Sequence, residues 1–176
     1  ETAKIDALIE KKRALSQMLE QRRIARLHSL TFGSTLQDAD GVPIKYLGKL
    51  KSGAGFPQDL QYQEGELLPF FKVQDLGNES DSLSYEHATH TVSETQAKDL
   101  GARIFPKGTI VFAKIGAALM LGRFKVLSQE SCLDNNMIGL IPYNAKSGEW
   151  VYHCLFHVEV AKFALPGAVP SLDVDK

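Results

Sequence analysis

Cysteine is nearly missing: Cys132 and Cys154 are the two in 176 residues, and no C-x-x-C spacing occurs. That excludes a disulfide framework and suits a reducing compartment, with both thiols expected to behave as small buried hydrophobes. Long apolar runs are missing too. Gly, Lys or Arg breaks each one within about ten residues, against the roughly 20 that a spanning helix needs, and no stretch reads as a signal peptide. No membrane association is expected, and the expected location is the cytoplasm. There is no internal repeat, no low-complexity tract and no G-x-S-x-G elbow. There is also no N-P-P-Y or D-P-P-Y motif to hold an exocyclic amine for methylation. Neither sign of charge dominates, the net charge being −1.

What is present begins with a helix. Residues 1–30 hold seven basic and four acidic residues, a balance of +3, which leaves −4 for the remainder. Ile5, Leu8, Leu15 and Leu19 follow spacings of three and four, with Lys12 and Arg22 where the seam would continue. A narrow apolar stripe flanked by charge is the pattern of a coiled coil. Such a seam is marginal alone in water, so it calls for a partner helix in this chain or another. The pattern is already running at Glu1, as expected of a piece of a longer protein. The spacing predicts a helix from about Thr2 to Leu30 within a spacer region, 1–32. A linker rich in Asp and Gly, Ser34 to Val42, then opens a second region, 33–176.

From Ile44 onward the period shortens. Strands are predicted over Ile44–Leu50, Pro69–Leu76, Thr109–Ile115, Arg123–Leu127 and Met137–Ile141. Ser93-Glu94-Thr95-Gln96 is a capping box that opens a short helix, and Gly101 closes it. Pro106-Lys107-Gly108 makes a turn. Gly53-Ala54-Gly55 makes another, too short for a dinucleotide or Walker-type loop. Ser147–Leu165 carries Trp150, Val151, Leu155, Val158 and Phe163 at helical spacing and stops at Pro166-Gly167. The fold class is α+β: a long coiled-coil-forming helix followed by a mixed, strand-rich globular domain.

Catalysis finds few footholds. His153 and His157 stand four apart on the expected helix, the spacing that aims two imidazoles at one metal. Cys154, however, occupies the place where a metalloprotease helix has Glu. His87 and His90 lie in a polar loop. Ser128 or Cys132 could supply a nucleophile, but no strained turn presents either. A small metal- or thiol-dependent hydrolase using His153, His157 or Cys132 is one alternative reading, and a coiled-coil protein-interaction module is another. No catalytic residue and no metal ligand is assigned. The favoured set is polar and basic: Lys51, Ser52, Lys107, Lys114, Arg123, Lys125, Ser128, Gln129, Asn135 and Asn136, on predicted turns. Amides suit adenine, basic groups suit guanine and phosphate, and hydroxyls suit either. The balance of −4 is low for a free-standing DNA binder, whose affinity draws heavily on phosphate contacts. Partners are therefore expected to supply part of the attraction.

Five segments, read in order, resemble the specificity subunit of type I restriction–modification systems. They are Lys51-Ser52-Gly53-Ala54-Gly55-Phe56-Pro57, P-F-F-K-V-Q-D-L (Pro69–Leu76), I-F-P-K-G-T-I-V-F-A-K-I-G (Ile104–Gly116), L-S-Q-E-S-C-L-D-N-N-M (Leu127–Met137) and P-G-A-V-P-S-L (Pro166–Leu172). The leading Ile5-Asp6-Ala7-Leu8-Ile9-Glu10-Lys11-Lys12 is similar to the family's spacer helix. The resemblance implies a subunit in which two target recognition domains alternate with two spacer helices packed as an antiparallel coiled coil. Each domain then reads one half of a bipartite double-stranded DNA target. This chain is similar to one spacer helix and one target recognition domain. It departs from the pattern in lacking a domain upstream, a spacer helix after Lys176 and the proline run leading into that helix.

The resemblance further implies a non-catalytic chain with no cofactor of its own. S-adenosylmethionine would belong to the DNA methyltransferase (modification) subunits that clamp the DNA, and ATP and Mg to the restriction/translocase subunit. A second spacer helix, in the same subunit or in a homodimer, would complete the coiled coil. Roughly 28 helical residues at about 1.5 Å each span about 42 Å. At about 3.4 Å per base pair that is around 12 base pairs, near one turn of the duplex.

Overall fold

The computed structural model describes residues 2–32, 44–61, 67–155, 160–165 and 167–172. The chain divides into two compact units, Glu1–Gly41 and Val42–Lys176. The first is built on helix α1, Thr2–Phe32. It contains no Gly or Pro and is rich in Ala, Leu, Lys, Arg, Glu and Gln, the residues that lose least on entering a helix. At 31 residues it is about 46 Å long. Ile5, Leu8, Leu15 and Leu19 are all exposed, and so are Ile9 and Met18. Arg13 and Glu10 pair at 2.9 Å, but both are open to solvent and such a pair stabilises little. Among the described residues no helix is long and apolar enough to cross a membrane.

The second unit is strand-rich. Its elements in chain order are β1 (Gly48–Ser52), β2 (Leu68–Phe71), β3 (Ser82–Leu83), β4 (Thr91–Val92), α2 (Glu94–Asp99), β5 (Ile110–Ala113), α3 (Gly116–Met120), β6 (Phe124–Leu127), β7 (Cys132–Leu133), β8 (Met137–Pro142), α4 (Gly148–Leu155), β9 (Ala164–Leu165) and β10 (Ser171–Leu172). A five-stranded sheet has the order β1-β8-β5-β6-β3, and a three-stranded sheet the order β4-β2-β7. In the larger sheet β8 is antiparallel to both β1 and β5, β5 is antiparallel to β6, and β3 joins parallel to β6.

Residues directly opposite in an antiparallel ladder share a face. Lys51, Gly139 and Val111 therefore line one face of the larger sheet, and Leu50, Leu140, Ile110 and Val126 the other. The Phe105 ring covers the first face at Gly139, where a Cβ would meet it at 2.6 Å. Helix α4 packs against β6 and buries Val151, Tyr152 and Leu155 in the main core. A second core gathers Leu68, Phe70, Val92, Ala97 and Cys132 around the smaller sheet, with Phe56 stacked on Phe70 at 4.0 Å.

Three elements differ from the sequence expectation. The first strand begins later, at Gly48, because Ile44–Tyr46 forms a 3-10 turn. The segment P-F-F-K-V-Q-D-L is strand only to Phe71; Val73–Gly77 turns as a 3-10 helix because the Asp75 carboxylate accepts the Lys72 N–H at 2.7 Å. Of the expected helix over Ser147–Leu165, Gly148–Leu155 is α-helix and Val160–Phe163 a 3-10 turn, while Val158 lies outside the described residues. Leu165 instead pairs with Ser171 in a small hairpin, and Phe163 is 67% exposed. The Ser93 capping box is present as expected: Ser93 Oγ accepts the Gln96 N–H at 3.2 Å and Gln96 Oε1 accepts the Ser93 N–H at 2.8 Å.

Gly53 is not the tight-turn residue that its sequence context suggests. Its N–H bonds the Met137 carbonyl at 3.1 Å, and the Ala54 N–H bonds the Leu133 carbonyl at 2.9 Å. The backbone thus leaves β1 and runs directly against the segment joining β7 to β8. A Cβ on Gly53 would collide with the carbonyl oxygens of Leu133 and Asp134, whereas one on Gly55 would meet nothing within 4 Å. Only glycine fits a backbone approach this close.

Asp75 is buried and holds two segments together, accepting the Lys72 N–H and, at 3.2 Å, the Thr89 hydroxyl. Burial pushes its carboxyl above the ordinary value of 3.8, against the opposing pull of the Lys72 N–H, the Thr89 hydroxyl and the His90 and Lys72 charges. A carboxyl raised on folding contributes stability that is fully present below its unfolded pKa and is lost as pH rises through the folded one.

Two outcomes follow. Gly53→Ala should lose about 1–3 kcal/mol in urea unfolding while Gly55→Ala stays within about 0.5 kcal/mol; equal losses would deny the close approach. Asp75→Asn keeps an acceptor for Lys72 and offers a donor to Thr89. Its stability relative to the parent should therefore rise between about pH 4 and pH 7, followed by urea midpoints across that range. A constant difference would mean that Asp75 does not titrate out of its usual range.

Candidate nucleic-acid interface

The strand register divides nine of the ten polar candidates between two ends of the larger sheet. Ser52 lies opposite Ile138, and Ala113 opposite Met137, so the end of β1, the end of β5 and the start of β8 meet at one edge. Phe112 opposite Phe124 brings the start of β6 there as well. Ser52, Lys114, Arg123, Asn135 and Asn136 are thereby collected at one end, with Lys51 one residue inward. Lys107, Ser128 and Gln129 are at the other end, where the Gly108 N–H bonds the Leu127 carbonyl at 2.8 Å.

The first end is firmly built. The Asp134 N–H bonds the Phe71 carbonyl at 2.9 Å, and the Met137 N–H returns to the Asp134 carbonyl at 2.9 Å. The buried Asp134 carboxylate accepts the Asn136 N–H at 2.8 Å. The Asn136 carbonyl in turn accepts the Lys114 N–H at 2.8 Å, and the Lys114 carbonyl accepts the Leu172 N–H at 3.0 Å. The Lys114 ammonium donates to Ser52 Oγ at 3.3 Å. Asn135 projects from this turn exposed, and Lys51 and Arg123 are exposed beside it. An amide, a hydroxyl and several cations on one fixed edge can bond base edges and phosphate oxygens.

The other candidates have different surroundings. Lys107 lines a cleft of about 370 Å³ together with Glu149 and Tyr152. The Ser128 N–H is bonded to the Leu83 carbonyl at 2.9 Å, and the Gln129 carbonyl accepts the Ser131 hydroxyl at 3.1 Å. Lys125 is a correction to the expected set. It is buried on β6 opposite Val111, and its ammonium donates to the Asn78 carbonyl at 2.8 Å and to the Ser80 carbonyl. Burial pulls its pKa down. This ammonium clamps the loop ahead of β3 and is not presented to a ligand. The strand pattern Phe124-Lys125-Val126-Leu127 held the signal, since alternation directs Lys125 to the same face as Val111.

The thiol and metal alternatives rest on other residues. Cys132 sits in the second core, and burial pushes its thiol up to about 11, so it is not a thiolate at neutral pH. Cys154 is buried and raised by the same cause. His153 lies on α4 with its Nδ1 buried, His157 lies outside the described residues, and among the described residues no three His, Cys, Asp or Glu side chains form a metal-holding group. One serine–histidine contact escaped the sequence reading: Ser84 Oγ lies 2.8 Å from His87 Nδ1. The same nitrogen accepts the Ser84 N–H at 3.1 Å, so the pair caps a 3-10 turn over Tyr85–His87.

No family model matches the chain, and no curated protein matches it. Solved structures do. The chain is similar to the HsdS subunit from Thermoanaerobacter tengcongensis, with a TM-score of 0.55 and 18% identity over 98% of this chain and 46% of that one. It is also similar to a chain from a structure of the complex assembly and conformational transition of the type I R-M system, with a TM-score of 0.51 and 17% identity over 90% of this chain and 40% of that one. The chain thus spans less than half the length of either. At these identities the likeness is one of fold, and it falls on the family that the five sequence segments resemble. The chain has the fold of type I restriction–modification specificity subunits.

Proposed function

We propose that the chain is a non-catalytic DNA-recognition part of a type I restriction–modification specificity subunit. The observation that carries this reading is the likeness to HsdS across 98% of the chain, α1 included. The edge carrying Ser52, Lys114 and Asn135 adds the chemistry, because it offers base-edge and phosphate partners on a rigid mount. In this reading the strand-rich unit is a target recognition domain that reads one half of a bipartite double-stranded site, and α1 is the spacer. The exposed seam of α1 pairs with a second spacer helix, in the same subunit or in a second copy. Methylation, with S-adenosylmethionine, and ATP-driven cleavage belong to partner subunits in the cytoplasm. The net charge of −1 agrees with partners that hold the DNA around the chain.

Methylated positions should be mapped in cells carrying the methylating subunit of the same system, with and without this chain. A methylated motif is expected only when the chain is present, and an identical pattern in both would overturn the reading. Changing Leu8, Leu15 and Leu19 together to Gln should abolish helix pairing, seen as loss of self-association or of assembly in sedimentation. Inserting one heptad into α1 should lengthen the gap between half-sites by about 3 base pairs, from seven residues at about 1.5 Å each. An unchanged gap would deny α1 the role of spacer.

A further inference from the structure

We propose that Asn135 is the base-reading residue of this edge, with adenine its target, and that Lys114 anchors the adjacent phosphate; this rests on the DNA-recognition reading above. Asn135 is exposed, and its carboxamide makes no hydrogen bond among the described residues. Its backbone neighbours have no slack. Asp134 is tied to Phe71 and Met137, and Asn136 is tied to the Asp134 carboxylate and to Lys114, at 2.8–2.9 Å. The turn fixes the backbone that carries this amide, so only the side-chain rotamer remains to be ordered when it meets a base. One carboxamide presents a donor and an acceptor side by side, the match for N7 and N6 of adenine in the major groove.

Lys114 stands in fixed relation to that amide, because its N–H bonds the carbonyl of the residue that follows Asn135. Its half-buried ammonium is steadied by Ser52 Oγ at 3.3 Å, which leaves further N–H donors for an anion. A lysine held this way acts as a point charge, suited to a phosphate oxygen and carrying no base preference. Lys51 and Arg123 are exposed on the same edge. The edge thus separates two tasks: one side chain selects a base, and a tethered cation fixes the register in which it does so.

The test is selection from a pool of randomised double-stranded DNA by the full chain with its methylating subunit, repeated with variants. The parent should enrich a motif containing an A·T pair that Asn135→Ala no longer requires. Affinity of that variant for the parent's site should fall roughly 5- to 100-fold, with non-specific affinity unchanged. Asn135→Asp should move the preference at that position toward C·G, a gain that misfolding cannot produce. Lys114→Met should weaken all sequences alike and lower the salt slope by about 0.9. If the parent enriches a motif and Asn135→Ala keeps every base preference, this assignment falls while the proposed function stands. If the parent enriches no motif, the proposed function falls and takes the assignment with it.

Discussion

The arrangement of the strand-rich unit depends on one backbone approach, that of Gly53 to the carbonyls of Leu133 and Asp134. Strand β1 belongs to the larger sheet and β7 to the smaller, and this crossing is where the two are joined. Each hydrogen bond there adds only about 1 kcal/mol net. Their larger effect is geometric. Met137 and Leu133 are held from one side by Gly53 and Ala54, while Phe71 holds Asp134 from the other. The turn between β7 and β8 cannot shift without breaking bonds in both sheets, and the candidate interface sits on that turn.

The parts of this fold that the sequence displays are those governed by nearby residues. The Ser93–Gln96 box closes over three positions, and the apolar runs of β5, β6 and β8 are bounded by their own turns. What the sequence conceals is non-local. Leu165 leaves the expected helix because it finds Ser171 across a hairpin, and V-Q-D-L curls because Asp75 reaches back to Lys72 and across to Thr89. The candidate site divides in the same way. Residue chemistry nominated polar and basic side chains, but only the ladder register shows that Ser52, Lys114 and Asn135 share an end while Lys107, Ser128 and Gln129 do not. Lys125 was misplaced because a cation in a strand reads as exposed until the carbonyls of Asn78 and Ser80 are found around its ammonium.

The electrostatic character of the chain fits short-range recognition better than long-range capture. A balance of −4 outside the first 30 residues gives little general attraction to a polyanion. In the proposed reading, discrimination comes from groups carried on a fixed backbone, and the turn holding Asn135 and the tether on Lys114 supply them. The helix is the basic part of the molecule, and its Ile5, Leu8, Ile9, Leu15, Met18 and Leu19 are exposed. Surface of that kind is stable when another helix covers it.

The bonds that shape the Asp134–Asn136 turn involve backbone groups and the Asp134 carboxylate, and none involves the side chain of Asn135. The mount and the reader are therefore chemically independent. A different residue at position 135 would inherit the same placement without disturbing what places it. In the proposed reading, an exchange there changes the group offered to DNA and leaves in place the bonds that shape the turn.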